Sequence, residues 1–149
     1  METRRAPHEA TVLLRDIREL SGAFEAHLGR QLTVNATDLA AMEHLIENGP
    51  LTPTDLAARL GITTAAMTTS IDRLTALGHV SREPNPGDRR GILVVPTPES
   101  SRRAMASILP MVAGIDRVLE DFDEDQREVV VEYLRRVITA YREHLPQQG

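Results

Sequence analysis

Apolar positions recur at helical spacing along most of the chain, and only one stretch breaks the rhythm. Leu13, Ile17, Leu20, Phe24 and Leu28 stand three or four residues apart and predict a long first helix over about residues 10–31. Asn35 with Asp38 reads as a capping box, and Leu39, Met42, Leu45 and Ile46 give a second helix one apolar face before Gly49-Pro50 stops it. Further on, Ala104, Ile108, Met111, Ile115, Val118 and Phe122 predict a helix over about residues 99–121, which Pro110 is expected to kink. Asp123 with Gln126 caps a last helix. Its Val130, Tyr133, Leu134, Val137, Ile138, Tyr141 and Leu145 form a stripe too broad for a helix with one wet side. Residues 1–9 are expected to form a frayed or partner-swapped arm.

Residues 51–98 break the pattern into shorter pieces. Thr52 caps, Pro53 suits a first helical position and Asp55 closes a box with Thr52, so a helix is expected over 53–60, stopped by Gly61. A second capped start falls at Thr63, with Met67, Ile71, Leu74 and Leu77 as its apolar face and Gly78 as its end. The opposite face carries Thr64, Ala65, Thr68, Thr69 and Arg73. All but the arginine are small or hydroxylic, which suits a helix entering a major groove about 12 Å wide. A threonine-rich face equally describes an ordinary solvated helix, so the following segment decides. Residues 79–82 and 92–95 favour extended backbone, and 82–91 between them hold Pro84, Pro86 and Gly87, predicting a hairpin with a long tip. That tip bears Asp88, Arg89 and Arg90. An arginine there reaches a narrow minor groove, where the negative potential is enhanced, and Asp88 is expected to pair with a neighbouring guanidinium and fix its direction.

Charge sharpens this reading. The formal charge of the 149-residue chain is −5, which argues against a nonspecific coat for nucleic acid, but from Arg59 to Arg103 seven arginines face four carboxylates. The acidity lies elsewhere, notably at Glu120, Asp121, Asp123, Glu124 and Asp125, a solvated helix start favoured by the dipole. The length is one domain's worth, and 3% aromatic content with no tryptophan makes its core aliphatic. Zero cysteines exclude disulfides and thiolate chemistry. No apolar run approaches the ~18 residues of a membrane span and residues 1–7 lack a signal-peptide core, so a cytoplasmic protein with no membrane partner is expected. The five histidines lack tight pair spacing, and Glu43-His44, adjacent on a helix, diverge by about 100°, so no metal site is expected. Gly-rich phosphate loops, Gly-x-Ser-x-Gly and His-Glu-x-x-His are all missing, and Ser70 and Asp72 point apart on one helix. Neither an enzyme nor a cofactor is expected.

The order helix, turn, second helix ending Asp72-Arg73-Leu74, then Leu77-Gly78-His79-Val80, then Pro84-Asn85-Pro86-Gly87-Asp88-Arg89-Arg90 and Val94-Val95-Pro96-Thr97-Pro98 resembles the MarR family of bacterial transcription regulators. The likeness runs along nearly the whole chain. It implies a mainly α fold with a small β-hairpin wing, a winged helix-turn-helix plus long N- and C-terminal dimerisation helices. Residues 1–34 would be the N-terminal dimerisation helix, 35–98 the DNA-binding domain and 99–149 the C-terminal dimerisation helices. The resemblance further implies a homodimer on a double-stranded operator, with Thr63, Thr64, Ala65, Thr68, Thr69, Arg73, Asp88, Arg89 and Arg90 as DNA-facing residues. Thr69 stands where relatives are often basic, and Pro96-Thr97-Pro98-Glu99 replaces the more usual Leu-Thr-x-x-Gly, which lowers the expected number of phosphate contacts and shifts the start of the next helix.

By the same resemblance, a small aromatic or phenolic anion binds between the dimer helices and the winged domain. Arg15, Arg18, His27, Arg30 and His44 are the candidate partners for it. A two-fold dimer would set its recognition helices on successive major grooves about 34 Å apart, predicting a pseudo-palindromic operator. Two readings stay open. One is a ligand-released dimeric repressor; the other is a winged protein-interaction or small-molecule carrier module without DNA binding.

Overall fold

The computed structural model describes residues 6–146, and the expected arm at 1–9 therefore falls largely outside the described residues. Six helices and one hairpin follow in order: α1 (Glu9–Leu32), α2 (Ala36–Asn48), α3 (Pro53–Leu60), α4 (Thr64–Ala76), β1 (Val80–Asn85), β2 (Asp88–Pro96), α5 (Pro98–Val118) and α6 (Glu124–Glu143), with a 3-10 turn at Leu119–Asp121 between the last two. The chain divides into two compact units, Met1–Ser107 and Ile108–Gly149, the boundary falling inside α5.

In the first unit the local signals act as their chemistry dictates. The Thr52 hydroxyl accepts the Asp55 N–H at 3.1 Å, Pro53 occupies the first position of α3, and Gly61 ends it in the left-handed region at φ +66°. Thr63 caps α4 by accepting the Ala66 N–H at 3.1 Å. Leu77, expected on the buried face of α4, instead follows its last turn and is about half exposed. The core is aliphatic: Leu39, Met42 and Leu45 of α2, Leu56 of α3, Met67, Ile71 and Leu74 of α4, and Val80 and Val94 of the hairpin are all buried. Leu51 pairs with Val94 as an isolated antiparallel bridge, so β2 is flanked on both sides and β1 lies at the edge, where Pro84 sacrifices no ladder donor.

Buried His79 ties three elements together. Its Nε2–H donates to the Leu32 carbonyl at the end of α1 (2.8 Å), which leaves Nδ1 to accept from the Ser100 hydroxyl in the first turn of α5 (2.7 Å). Thr97 adds to the junction by donating its hydroxyl to the Gly78 carbonyl at 2.8 Å. The helix after the hairpin starts at Pro98 rather than Glu99, because proline suits a first turn whose N–H groups are unpaired anyway.

Much of α1 is bare. It buries only Leu28, Gly29 and Leu32, while Leu13, Ile17 and Leu20 stand 52–70% exposed. In the second unit, Asp123 and Gln126 form the reciprocal capping box that the sequence predicts, and the α6 stripe forms as a continuous helical face. No described residue of α6 is buried, and Leu134, Ile138, Tyr141 and Leu145 are 43–63% exposed.

Candidate nucleic-acid interface

The wing departs from the long tip expected over 82–91. Its strands continue to Asn85 and from Asp88, joined by a two-residue turn at Pro86-Gly87, where the Asn85 side chain accepts the Gly87 N–H at 3.0 Å. The register then jumps. Asn85 stands opposite Asp88, but Pro84 stands opposite Ile92, so Arg89, Arg90 and Gly91 have no partner across the ladder. A bulge of this kind re-aims side chains that an unbroken strand would alternate between two faces. Here it turns out two arginines, both exposed and, among the described residues, engaged by no carboxylate.

Asp88 holds this bulge, though by a different bond from the expected one. Its Oδ1 accepts the backbone N–H of Arg90 at 3.0 Å, not a guanidinium, and so fixes the arginine's backbone while leaving its side chain free. Gly91 packs against the same carboxylate: a Cβ there would stand 3.3 Å from Asp88 Oδ2.

On α4, Thr64, Ala65, Thr68 and Thr69 are exposed together, beside the cap Thr63. The Thr68 hydroxyl donates to the Thr64 carbonyl at 2.9 Å and that of Thr69 to the Ala65 carbonyl at 3.2 Å. With their protons occupied, these hydroxyls offer outward lone pairs and methyl groups, a surface that suits adenine or cytosine amino groups and thymine methyls. If Thr68 reads a base amino group, Thr68→Val, which keeps the shape and loses the acceptor, is expected to cost about 1–3 kcal/mol at one base pair in a binding selection. An unchanged sequence profile would make Thr68 a bystander.

Arg73, the only basic residue of α4, does not stand alone. Its Nε donates to Asp38 Oδ2 at 2.9 Å and its Nη2 to Asp38 Oδ1 at 2.7 Å, while the Ser70 hydroxyl donates to the same Oδ1 at 2.6 Å. Asp38 was expected to cap its own helix reciprocally. Only half of that box forms: Asn35 accepts the Asp38 N–H at 2.8 Å, but the Asp38 side chain turns inward and is 2% exposed. Its signal lay in the spacing, since Asp38 sits four and seven residues before Met42 and Leu45 on the buried stripe, where a carboxylate needs a partner.

Burial pushes the Asp38 carboxyl up, but the hydrogen bonds from Arg73 and Ser70 and the guanidinium's charge outweigh it and hold the group below the ordinary carboxylate value. A depressed folded value means that the ionised group stabilises the fold fully above about pH 4 and loses that contribution as pH falls from there through the folded value. Asp38→Asn is therefore expected to flatten the acid limb of a melting-temperature profile below about pH 4. An acid limb as steep as the parent's would place the loss on other carboxylates. Arg82 is also engaged, joining β1 to α4 through an ion pair with Asp72 and a 3.2 Å bond to the Thr75 hydroxyl.

The expected ligand residues do not converge. Arg15 pairs with Asp16 at 3.6 Å, and Arg15 and Arg18 lie about 18–22 Å along α1 from Arg30 at the 1.5 Å helical rise. Arg30 alone of the five lines a groove of about 290 Å³ between α1 and α2, floored by Gly29, Ala36, Leu39 and Ala40 and bearing Glu25 and Glu43. Burial and the charges of Glu25 and Glu47 hold Glu43 above the ordinary carboxylate value, only partly opposed by His44. Glu25 carried no motif in the sequence, and Glu43 stood out there only as a neighbour of His44.

A helix pair joined at Gly61, followed by an arginine-bearing hairpin, defines a winged helix-turn-helix. A MarR family sequence model matches residues 31–91. An uncharacterized HTH-type transcriptional regulator of Bacillus subtilis, YcgE, is 27% identical over 97% of each chain. A MarR-like transcriptional regulator of Thermotoga maritima superposes with a TM-score of 0.67 at 27% identity, over 91% of this chain and 99% of that one. NadR, solved in complex with 4-hydroxyphenylacetate, gives 0.61 at 20% identity over 92% and 97%. Residues 31–91 thus carry the sequence pattern of the MarR family, and the chain is similar to transcriptional regulators over nearly its whole length. Among the described residues, no helix is long and apolar enough to cross a membrane.

Proposed function

We propose that the chain is a cytoplasmic, sequence-specific repressor that binds a pseudo-palindromic operator as a homodimer and is released by a small molecule. The observation that carries this reading is the wing bulge, which presents Arg89 and Arg90 without acidic partners beside a free, small-residue face of α4. Thr63, Thr64, Ala65, Thr68, Thr69 and Arg73 face the major groove and its phosphates, and the two wing arginines enter the minor groove, with Asp88 fixing the backbone of the bulge. Residues 35–98 then form the reading head, and 1–34 and 99–149 the dimerisation elements. A protein-binding module would have no need of arginines held out from a ladder in this way.

The effector is a small aromatic or phenolic molecule in the α1/α2 groove, whose volume suits one ring. NadR's 4-hydroxyphenylacetate supports the class. Arg30 is the anion's partner, and Glu25 and Glu43 limit how much negative charge the groove accepts. The test is selection of genomic fragments by the purified protein at a stated salt concentration, because affinity falls steeply with salt. Enrichment of a pseudo-palindrome is expected. A folded dimer that enriches nothing at low salt would move the assignment to the interaction or carrier module.

A further inference from the structure

Arg73 is the one cation on α4, yet the guanidinium is held from below by a residue of another helix. An arginine has five N–H donors. Two of them, on Nε and Nη2, are taken side-on by the Asp38 carboxylate, which leaves both hydrogens of Nη1 and one of Nη2 for an outside acceptor. Arg73 keeps 45% of its side-chain surface exposed, whereas Asp38 is 2% exposed and 35 residues away in sequence. The carboxylate itself is anchored: Ser70 donates to it, and its backbone N–H is received by the Asn35 cap in the first turn of α2, where the helix dipole favours an anion. An exposed arginine would otherwise sweep many rotamers and lose them on binding. We propose that Asp38 is a positioning residue for DNA binding, acting through Arg73 by laying its guanidinium flat on α4 with the free donor edge available to a backbone phosphate.

Two opposed effects meet here. The carboxylate cancels part of the guanidinium's charge, which weakens its attraction for phosphate, and it also removes the freedom that binding would cost. Bidentate geometry decides for orientation, since a fork held at two points leaves its remaining hydrogens in fixed directions, as phosphate recognition requires.

The inference rests on the DNA-binding reading, and a double-mutant cycle with the full-length protein on its selected operator separates the two. Arg73→Ala and Asp38→Ala are each expected to weaken binding by about tenfold, and each to lower the slope of log K against log salt by about one. The double variant is expected to be no weaker than Arg73→Ala alone. Asp38→Asn, which keeps the side chain's volume, serves if Asp38→Ala does not fold, and its effect is likewise expected to vanish in the Arg73→Ala background. Circular dichroism and light scattering on each variant report the fold and the dimer. Additive losses, an unchanged salt slope or tighter binding by the Asp38 variants would overturn the inference while leaving the DNA-binding reading standing. A wild-type protein that held no duplex would remove both.

Discussion

A protein truncated before Asp123, and so without α6, is expected to scatter light as a monomer. The second unit makes this a strong expectation. Residues 108–146 build the end of α5, a 3-10 turn and α6, and none of the described residues of α6 is buried. Leu134, Ile138, Tyr141 and Leu145 lie at helical spacing with about half of their surfaces open, and Val129 and Val131 widen the apolar band. Covering an apolar side chain of this size is worth about 1.5–3 kcal/mol, so several pairs of them outweigh the cost of association. A second copy supplies the same stripe through a two-fold axis without requiring any other partner. Ile138→Glu, which places a charge in the middle of the stripe, is expected to have the same effect with the chain intact. A dimer mass for both variants would place the interface elsewhere, with the bare Leu13, Ile17 and Leu20 of α1 as the next candidate surface.

How far the sequence revealed this molecule depended on the range of the interactions involved. Caps and stops are encoded within four residues, so Thr52, Pro53, Gly61, Thr63, Asp123 and Gln126 marked their helix ends at nearly the observed positions. The free face of α4 followed from periodicity alone. The wing arginines were legible as residues but not as geometry. Pro84 reads as a strand breaker, yet an edge strand tolerates it, and the bulge at Arg89–Gly91 depends on which residues pair across the hairpin, which local propensity does not specify. Asp38 shows the limit most clearly. Three residues from Asn35 it fits a capping box, and only its partners 32 and 35 residues away draw the side chain inward. The same holds for His79, whose ring joins Leu32 and Ser100. Of the candidate ligand residues, Arg15 and Arg18 lie three to four turns along α1 from Arg30, a separation that residue type alone does not reveal.

Arg90→Ala is expected to weaken operator binding at least tenfold, about 1.4 kcal/mol, while leaving the dimer and the fold unchanged. Apart from Arg89, the other arginines of the winged domain are already engaged: Arg73 by Asp38, Arg82 by Asp72 and Thr75, and Arg59 by a 3.4 Å contact to the Asn48 side chain. α4 carries no second cation beside Arg73. Among the described residues of the winged domain, that leaves Arg89 as the arginine without a side-chain partner to compensate for the missing one. The loss is expected to lower the salt slope by about one, as for a single charge contact in a groove of enhanced potential. Asp88→Ala tests how the bulge is held. It removes the 3.0 Å bond to the Arg90 N–H but no positive charge, so affinity is expected to fall less than in Arg90→Ala, with the salt slope kept near that of the parent. Equal affinity of Arg90→Ala and the parent protein in gel shifts would take the wing out of the mechanism and leave recognition to α4 alone.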